Sequence, residues 1–297
     1  MSLSPSPKKT VGILGFGKLG QHLYTSIRDD PLVSQLMEVI YIWNRTPSIL
    51  EDRDVPDSLR VTDLSEIVDL NADIVVEVSH PMISVQYACA ILEKGKNFVV
   101  GSPTCFADMA FESSVREATK VQGNGSLYIP VGALWGASDL QSMANRDGLA
   151  SLSITMKKHP AMLNITDDAL NEQRKALIEK AEKGEAVEPL VLYEGPVRGL
   201  CPLAPNNVNT MACCAMSAHS LGFDQTVGKL IADVTLETHE IEILALGKPN
   251  ASGKQFKLHC SRSSPAPVGA VTSKATYGSF LNSVMKCYGR GPGVHFV

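Results

Sequence analysis

Short apolar runs and amphipathic stretches alternate along the first 130 residues of the chain. The apolar runs predict buried strands at 10–14, 39–43, 59–62, 73–78, 97–100 and 127–130. Between them, apolar residues spaced three or four positions apart predict helices at 18–29, 83–94 and 106–122. This alternation favours an α/β fold, in which helices cover both faces of a parallel sheet.

A different pattern begins after residue 131. Period-two alternation and apolar runs predict strands at 152–157, 190–193, 229–236, 240–246 and 255–261. A polar helix is predicted to begin at an N-cap on Thr166 and to extend to Ala181. Further helices are predicted at 207–221 and 270–288. Because several strands follow one another directly, this half is predicted to be an α+β domain with a partly antiparallel sheet.

A glycine-rich loop joins the first predicted strand to the first predicted helix. In the G-x-G-x-x-G pattern, the first glycine permits a tight turn, and the second lets the backbone approach a pyrophosphate. The third glycine lets the helix pack closely on the strand, and the helix N-terminus offers N–H groups to phosphate oxygens. The pattern predicts that the cofactor is bound by Gly15, Phe16, Gly17, Lys18, Leu19 and Gly20.

The glycine loop makes the first half a predicted Rossmann dinucleotide-binding domain, at 9–132. We expect a disordered lead-in at 1–8 and a second, α+β substrate domain at 133–269. The predicted final helix at 270–288 is a candidate to pack back onto the first domain.

The end of the second predicted strand indicates which nicotinamide cofactor is used. A site selective for NAD places Asp or Glu here, to hold the ribose hydroxyls. This chain has Asn44 and Arg45 instead, and a guanidinium can pair with the 2′-phosphate of NADP. We therefore predict that NADP or NAD binds, with NADP preferred, and that Asn44 and Arg45 contact the cofactor.

Two histidines stand where chemistry is expected. His80 follows the predicted strand at 73–78, at the carboxyl end where ligands of doubly wound sheets bind, and is a substrate-site candidate. His239 shares one strand face with Ile241 and Ile243 by period two. A histidine at the edge of an apolar face suits general acid/base work near neutral pH. A core histidine satisfied by a hydrogen bond fits the same pattern, and the spacing alone does not decide between them.

Composition sets limits on the remaining classes of function. The 297 residues are enough for two domains. The formal net charge of −4 does not indicate a basic surface that would bind nucleic acid. No apolar run approaches the roughly 20 residues of a membrane helix, and the N-terminus has no apolar core of a signal peptide. The seven cysteines are odd in number and lack zinc-ligand spacing. We expect a reduced cytoplasmic protein without a bound metal.

Several segments, in order along the chain, resemble the L-aspartate dehydrogenase family. The similarity covers most of residues 10–285, and its two last motifs are the most specific. The matching segments are 15–20, 75–79, 101–108, 132–139, 158–160, 193–195, 205–209 and 239–242.

The resemblance implies a homodimer that oxidatively deaminates L-aspartate with NAD(P), or catalyses the reverse reductive amination. It implies that the second domain serves both the substrate and dimerisation. It also implies that His239 is the active-site histidine, and that Ala133 and Asn207 contact the nicotinamide end of the cofactor. The substrate carboxylates need cationic partners, for which Lys158, Arg198 and Lys274 are candidates.

The chain departs from the family pattern in two places. Glu237 stands where family members commonly have asparagine, and 264–273 lacks the basic residue of their Asn-Pro-Lys-Thr-Ser motif. Two alternatives therefore stay open: an NADP-dependent oxidoreductase of another small amino or keto acid, and a non-catalytic NADPH-binding protein.

Overall fold

The computed structural model describes residues 7–132, 134–266 and 274–297. The chain divides into two compact units. Unit 1 comprises the residues up to Pro130 together with Tyr277–Val297, and unit 2 comprises Val131–Thr276. Within the described ranges, no helix is both long enough and apolar enough to cross a bilayer.

The strands are numbered in chain order. They are β1 (Lys9–Leu14), β2 (Met37–Trp43), β3 (Arg60–Val61), β4 (Ile74–Glu77), β5 (Asn97–Val100), β6 (Leu127–Ile129), β7 (Leu149–Lys158), β8 (Leu190–Pro196), β9 (Thr226–Ala232), β10 (Thr238–Gly247), β11 (Lys257–Pro265) and β12 (Val294–Phe296).

The α-helices are numbered in the same way. They are α1 (Lys18–Asp29), α2 (Val33–Leu36), α3 (Ser48–Glu51), α4 (Pro81–Glu93), α5 (Met109–Ala118), α6 (Ala137–Asn145), α7 (Asp168–Glu182), α8 (Val197–Leu200), α9 (Asn209–Ser217), α10 (Gly222–Gln225) and α11 (Lys274–Val284). Short 3₁₀ helices occur at Asp57–Leu59, Leu64–Val68, Pro103–Ala107 and Pro160–Met162.

Unit 1 contains a seven-stranded parallel sheet in the order β12-β6-β5-β4-β1-β2-β3. Without β12, this is the strand order of a Rossmann fold, whose ligands bind where the order reverses, beyond the carboxyl ends of the strands. The reversal lies between β1 and β4. The loops that carry Gly15 and His80 therefore begin at the same edge of this sheet.

The core of unit 1 explains why its strands have continuous apolar runs. Helices pack on both faces of the sheet, so neighbouring residues of one strand are both buried. Ile13 of β1 and Val76 of β4 have no exposed surface, and Leu23 of α1 packs with them. Phe280 and Val284 of α11 belong to the same core cluster.

Unit 2 contains a mixed five-stranded sheet in the order β11-β10-β7-β9-β8. β10 pairs antiparallel with both β7 and β11, so that Ile243 lies opposite Ile154 on one side and Cys260 on the other. Burial alternates along β10, because one face of the sheet covers the core of the unit. The predicted fold class, a Rossmann domain followed by an α+β domain, is confirmed.

Local capping changes where two predicted helices begin. The helix predicted at 106–122 is α5 and begins at Met109, because the side chain of Asp108 accepts the backbone N–H groups of Ala110 and Phe111. The helix predicted to be capped by Thr166 is capped by Asp167, which accepts the N–H of Leu170. The Thr166 hydroxyl instead donates to the backbone carbonyl oxygen of Leu203.

Candidate active site

The glycine loop follows β1 directly and has the geometry of a dinucleotide cradle. Gly15 has φ of +111°, which L side chains rarely adopt, and a Cβ at that position would lie 2.7 Å from the Cβ of Ser79. A Cβ at Gly20 would lie 2.1 Å from the carbonyl oxygen of Gly15, so α1 packs as closely on the loop as glycine allows. A Cβ at Gly17 would meet no atom of the described residues within 4 Å, its chain neighbours apart.

This cradle fits a nicotinamide dinucleotide. Gly17 is the N-cap of α1 and has no side chain to cap the helix, and no side-chain cap from the described residues replaces it. The first N–H groups of α1 are therefore available to phosphate oxygens, and the positive end of the helix dipole points the same way. The exposed side of Gly17 leaves room for the pyrophosphate to approach the backbone.

Asn44 connects the glycine loop to the end of β2. Its side-chain oxygen accepts the backbone N–H of Phe16 at 2.9 Å, and its amide donates to the carbonyl oxygen of Thr46 at 2.9 Å. Asn44 therefore holds the loop in place. Arg45, the next residue, is exposed, and among the residues that the structure describes none forms a hydrogen bond or ion pair with its side chain. Its guanidinium is available for an anionic ligand.

His80 and Glu77 lie at the carboxyl end of β4. His80 is the exposed N-cap of α4, and its Nδ1 accepts the N–H of Met82 at 3.2 Å. Glu77 is fully buried, and its carboxylate accepts the N–H groups of Ser79 and Ser102 and the hydroxyl of Ser84. Burial raises the pKa of Glu77, and these hydrogen bonds oppose the rise.

Glu77 organises the loops after β4 and β5, and its role was not predicted from the sequence. The signal was available, because a carboxylate inside an apolar run must be satisfied by polar groups nearby. Ser79, Ser84 and Ser102 follow it in the sequence and provide them.

His239 is the second residue of β10 and is 7% exposed. It lies on the buried face of the strand with Ile241 and Ile243, as the period-two pattern predicts. Its Nε2 is 3.2 Å from the Sδ of Met162, which follows β7 in the 3₁₀ helix Pro160–Met162.

Met162 links His239 to the other polar residues of the site. Its carbonyl oxygen accepts the side-chain amide of Asn207 at 3.1 Å, and the Asn207 side-chain oxygen accepts the N–H of Asn164 at 2.6 Å. The carbonyl oxygen of Asn207 accepts Nζ of Lys158 at 3.4 Å. Three sequence-predicted residues, His239, Asn207 and Lys158, therefore meet in one buried cluster, which we call the His239 cluster.

The strand register explains why Lys158 and His239 lie together. Glu240 of β10 pairs with Lys157 of β7, so the next antiparallel pair is His239 and Lys158. Residues directly opposite each other in antiparallel strands point to the same face. Both therefore continue the apolar face that Ile241 and Met156 form.

Lys158 is a buried cation without a carboxylate partner in the described ranges of the chain. It is 4% exposed, and burial lowers its pKa from 10.5 to about 8. Its ammonium group therefore stays mostly protonated at pH 7. A buried charge is costly unless it is paired, so this site favours an anionic ligand.

The remaining candidates have different positions. Arg198 is engaged by Asp224, to which Nε and an Nη donate at 2.6 Å and 2.8 Å, and its guanidinium lies 5.5 Å from the ring centre of Phe223. Because the guanidinium of Arg198 already donates two hydrogen bonds to the Asp224 carboxylate, we leave Arg198 out of the proposed substrate site. Lys274 is the first residue of α11, and its side chain lies outside the described part of the chain, as does Ala133.

Comparison with known proteins decides the family. A family model described as "Aspartate dehydrogenase, C-terminal" matches residues 139–283, and "Homoserine dehydrogenase, NAD binding domain" matches residues 15–129. An aspartate dehydrogenase domain-containing protein of Xenopus tropicalis is 40% identical over 295 residues, which is 99% of each chain. The chain belongs to the aspartate dehydrogenase family.

Members of this family and solved structures also match over almost the whole chain. The aspartate dehydrogenase domain-containing protein of Danio rerio is 39% identical over 96% of this chain and 97% of its own. The crystal structure of an aspartate dehydrogenase from Thermotoga maritima aligns with a TM-score of 0.65, at 19% identity, over 96% of this chain and 98% of its own. That likeness shows the fold.

The predicted family membership is thereby confirmed, together with the class of enzyme. The protein is an oxidoreductase that uses a nicotinamide cofactor, since a nucleotide-binding family model covers the glycine loop and a dehydrogenase family model covers His239. A small-molecule substrate is consistent with this family.

The geometry at Gly17 predicts a variant that separates cofactor binding from folding. In Gly17→Ala, the methyl group has no close contact with any described residue outside its chain neighbours, and a φ of −68° suits alanine. The free energy of unfolding without ligand should change by less than about 0.5 kcal/mol. The methyl group occupies the side that a pyrophosphate approaches, so the Kd for NADPH should rise by roughly tenfold or more in a fluorescence titration.

Gly278→Ala is the matched control, because a Cβ at Gly278 likewise has no contact within 4 Å in the described part of the chain but lies in α11, away from the glycine loop in the sequence. It should leave the Kd for NADPH unchanged. An unchanged Kd in Gly17→Ala would show that the pyrophosphate does not approach this side of the loop.

Proposed function

We propose that the protein catalyses the reversible oxidative deamination of L-aspartate and prefers NADP as the cofactor. The observation that carries the proposal is the His239 cluster, in which a buried histidine shares one sheet face with Lys158, a cation that has no carboxylate partner among the described residues. A cation there suits a substrate carboxylate, and a histidine suits the proton transfers of an amine.

The balanced reaction consumes L-aspartate, NADP⁺ and water and yields oxaloacetate, ammonium, NADPH and a proton. A nicotinamide cofactor held by the glycine loop would supply the acceptor for the hydride that leaves Cα of the amino acid. Lys158 binds a substrate carboxylate and so orients Cα. His239 accepts a proton, from the substrate ammonium before hydride loss or from the water that attacks the imine carbon afterwards.

Met162 and Asn207 connect His239 to Lys158 through a series of contacts. The Asn207 side chain donates one N–H to Met162 and accepts one N–H from Asn164. An amide has two donor hydrogens and two acceptor lone pairs, so one of each stays available for the carboxamide of nicotinamide. We keep Asn207 as a proposed cofactor contact for this reason.

We also retain the homodimer that the family resemblance implies. The five-stranded sheet leaves apolar side chains exposed, with Val191 of β8 and Val227 of β9 at 44% and 40%. These residues lie toward one edge of the sheet and are candidates for an interface.

The NADP preference is tested at Arg45. In Arg45→Ala, the guanidinium that pairs with the 2′-phosphate is lost, so the Kd for NADPH should rise by about 10–100-fold. The Kd for NADH, which has no 2′-phosphate, should stay within about twofold in the same titration. Arg53→Ala, another exposed arginine in the same stretch of chain, is the control and should change neither. Equal losses for both cofactors would contradict the assignment.

The role of His239 is tested by turnover. Wild-type protein with oxaloacetate and ammonia should oxidise NADPH faster than with other keto acids. His239→Asn should lower kcat by about 10²–10⁴-fold, since a general acid/base contributes that much, and leave the Kd for NADPH unchanged. His259→Asn is the control, because His259 lies on β11 and binds Glu242 on the surface. Full turnover in His239→Asn would remove the assignment, and no turnover with any keto acid would favour a non-catalytic protein.

The pKa of Lys158 predicts a pH dependence of anion binding. Lys158 is protonated below about pH 8 and neutral above it, so a carboxylate loses its partner as the pH rises. The inhibition constant of succinate, which has no group that titrates in this range, should therefore increase up to tenfold per pH unit above about 8. Lys158→Arg stays protonated and should flatten the profile, whereas Lys157→Arg, on the opposite face, should keep it. A flat profile in the wild type would exclude Lys158 as the carboxylate partner.

A further inference from the structure

A second cation lies on the same sheet face as His239. Ser264 of β11 pairs directly with His239, and Arg262, two residues earlier, pairs with Ile241. Because residues two apart on a strand point to the same side, Arg262 and Ser264 share the face of His239 and Ile241. β7 and β11 flank β10, so Lys158 and Arg262 approach this face from opposite sides of His239.

Arg262 is held in place by neutral groups. Its Nε donates to the hydroxyl of Ser264 at 2.9 Å, and one Nη donates to the carbonyl oxygen of Gly132 at 3.4 Å. Its guanidinium carbon lies 5.6 Å from the ring centre of Trp135. These contacts fix the plane of the fork and leave other N–H groups of the guanidinium to donate.

The charge of Arg262 is not balanced by a carboxylate in the chain's described ranges. The side chain is partly buried, and burial lowers its pKa, but a guanidinium stays protonated throughout the range of enzyme assays. Glu240 and Glu242 of β10 alternate with His239 and therefore lie on the other face, where Glu242 binds His259. The His239 face thus has two cations and no acidic residue of β10 to neutralise them.

We propose that Arg262 binds the second carboxylate of a dicarboxylic substrate, while Lys158 binds the first. This inference rests on the proposed function, because it takes the His239 face as the place where the substrate binds. A planar fork held by Ser264 and Trp135 suits bidentate recognition of a carboxylate.

The same arrangement provides specificity. A monocarboxylic amino acid would leave the Arg262 guanidinium without a counter-ion in a partly desolvated place. An enzyme site that is built to pair a polar group rejects ligands that leave that group unpaired. Arg262 is therefore the residue that selects a short dicarboxylic acid over its monocarboxylic analogue.

The experiment compares two four-carbon acids, succinate and butyrate, as ligands of the NADPH-saturated protein. Calorimetric titration should give wild-type protein a Kd for succinate at least about tenfold lower than for butyrate, since one carboxylate is added. Arg262→Gln should weaken succinate binding by about 10–100-fold and butyrate binding by less than about threefold. Arg262→Lys, which keeps the charge without the fork, should fall between Arg262→Gln and the wild type.

Lys257→Gln is the matched control, because Lys257 lies on β11 but is exposed and on the opposite face. It should leave both affinities unchanged. Circular dichroism and the Tm of each variant report whether both units have folded, because the Kd for NADPH depends on the glycine loop of unit 1 whereas Arg262 belongs to unit 2. Arg262→Lys keeps the test informative if Arg262→Gln does not fold.

The inference is overturned if the Arg262 variants weaken succinate and butyrate equally, which indicates a purely structural role, or if they weaken neither. It is also overturned if the wild type binds the two acids equally. Failure of the proposed function is distinguishable, because these titrations need no turnover. A protein that never oxidises aspartate but binds succinate through Arg262 would refute the function and support the inference.

Discussion

The antiparallel register of β10 with its two neighbours is the constraint on which the candidate substrate site depends. Glu240 pairs with Lys157 and His239 with Ser264, which assigns His239, Lys158 and Ser264 to one face. A shift of one residue would turn every side chain of β10 to the opposite face. It would expose Ile241 and Ile243 as it removed His239. The apolar residues that bury the sheet therefore also fix the position of the chemistry.

Burying the charged side chain of Lys158 lowers the stability of the folded protein. The fall in the pKa of Lys158 from 10.5 to about 8 corresponds to roughly 3 kcal/mol against its charged form. Hydrogen bonding to the Asn207 carbonyl oxygen offsets part of the loss of water, but does not neutralise the charge. An anion that binds Lys158 would recover part of this free energy. The buried charge of the ligand-free protein therefore favours the binding of a carboxylate. Glu77 shows a different solution, in which serine and backbone donors surround a buried carboxylate.

In the glycine loop, the backbone and not the side chains forms the binding surface. Gly15 adopts a φ that other residues avoid, and Gly20 leaves no room for a Cβ beside the Gly15 carbonyl oxygen. Asn44 then holds the loop through the N–H of Phe16. Of the three motif glycines, only Gly17 has space on its Cβ side that the described residues leave open, and this is where the backbone can approach a phosphate. Glycine is therefore needed at each of the three motif positions for a different physical reason.

The sequence by itself determined the features that depend on local spacing. Apolar runs and helical periodicity predicted the Rossmann strands, and β5 and α1 have the predicted bounds, because each element buries its own residues by a simple period. The glycine loop and the strand face on which His239 lies could be predicted from the sequence for the same reason. β12 was missed, since three residues carry no period and pair only through their contact with β6.

Only the tertiary structure decided which charged residues belong together. Lys158, Arg198 and Lys274 were equal candidates in the sequence, and Arg262 was not among them. Pairing between distant strands brings Lys158 and Arg262 to the face of His239, while an ion pair with Asp224 engages Arg198. The surroundings of these cations come from residues 21 to more than 80 positions away in the chain, so no local pattern in the sequence shows which cation is buried and which has a carboxylate partner.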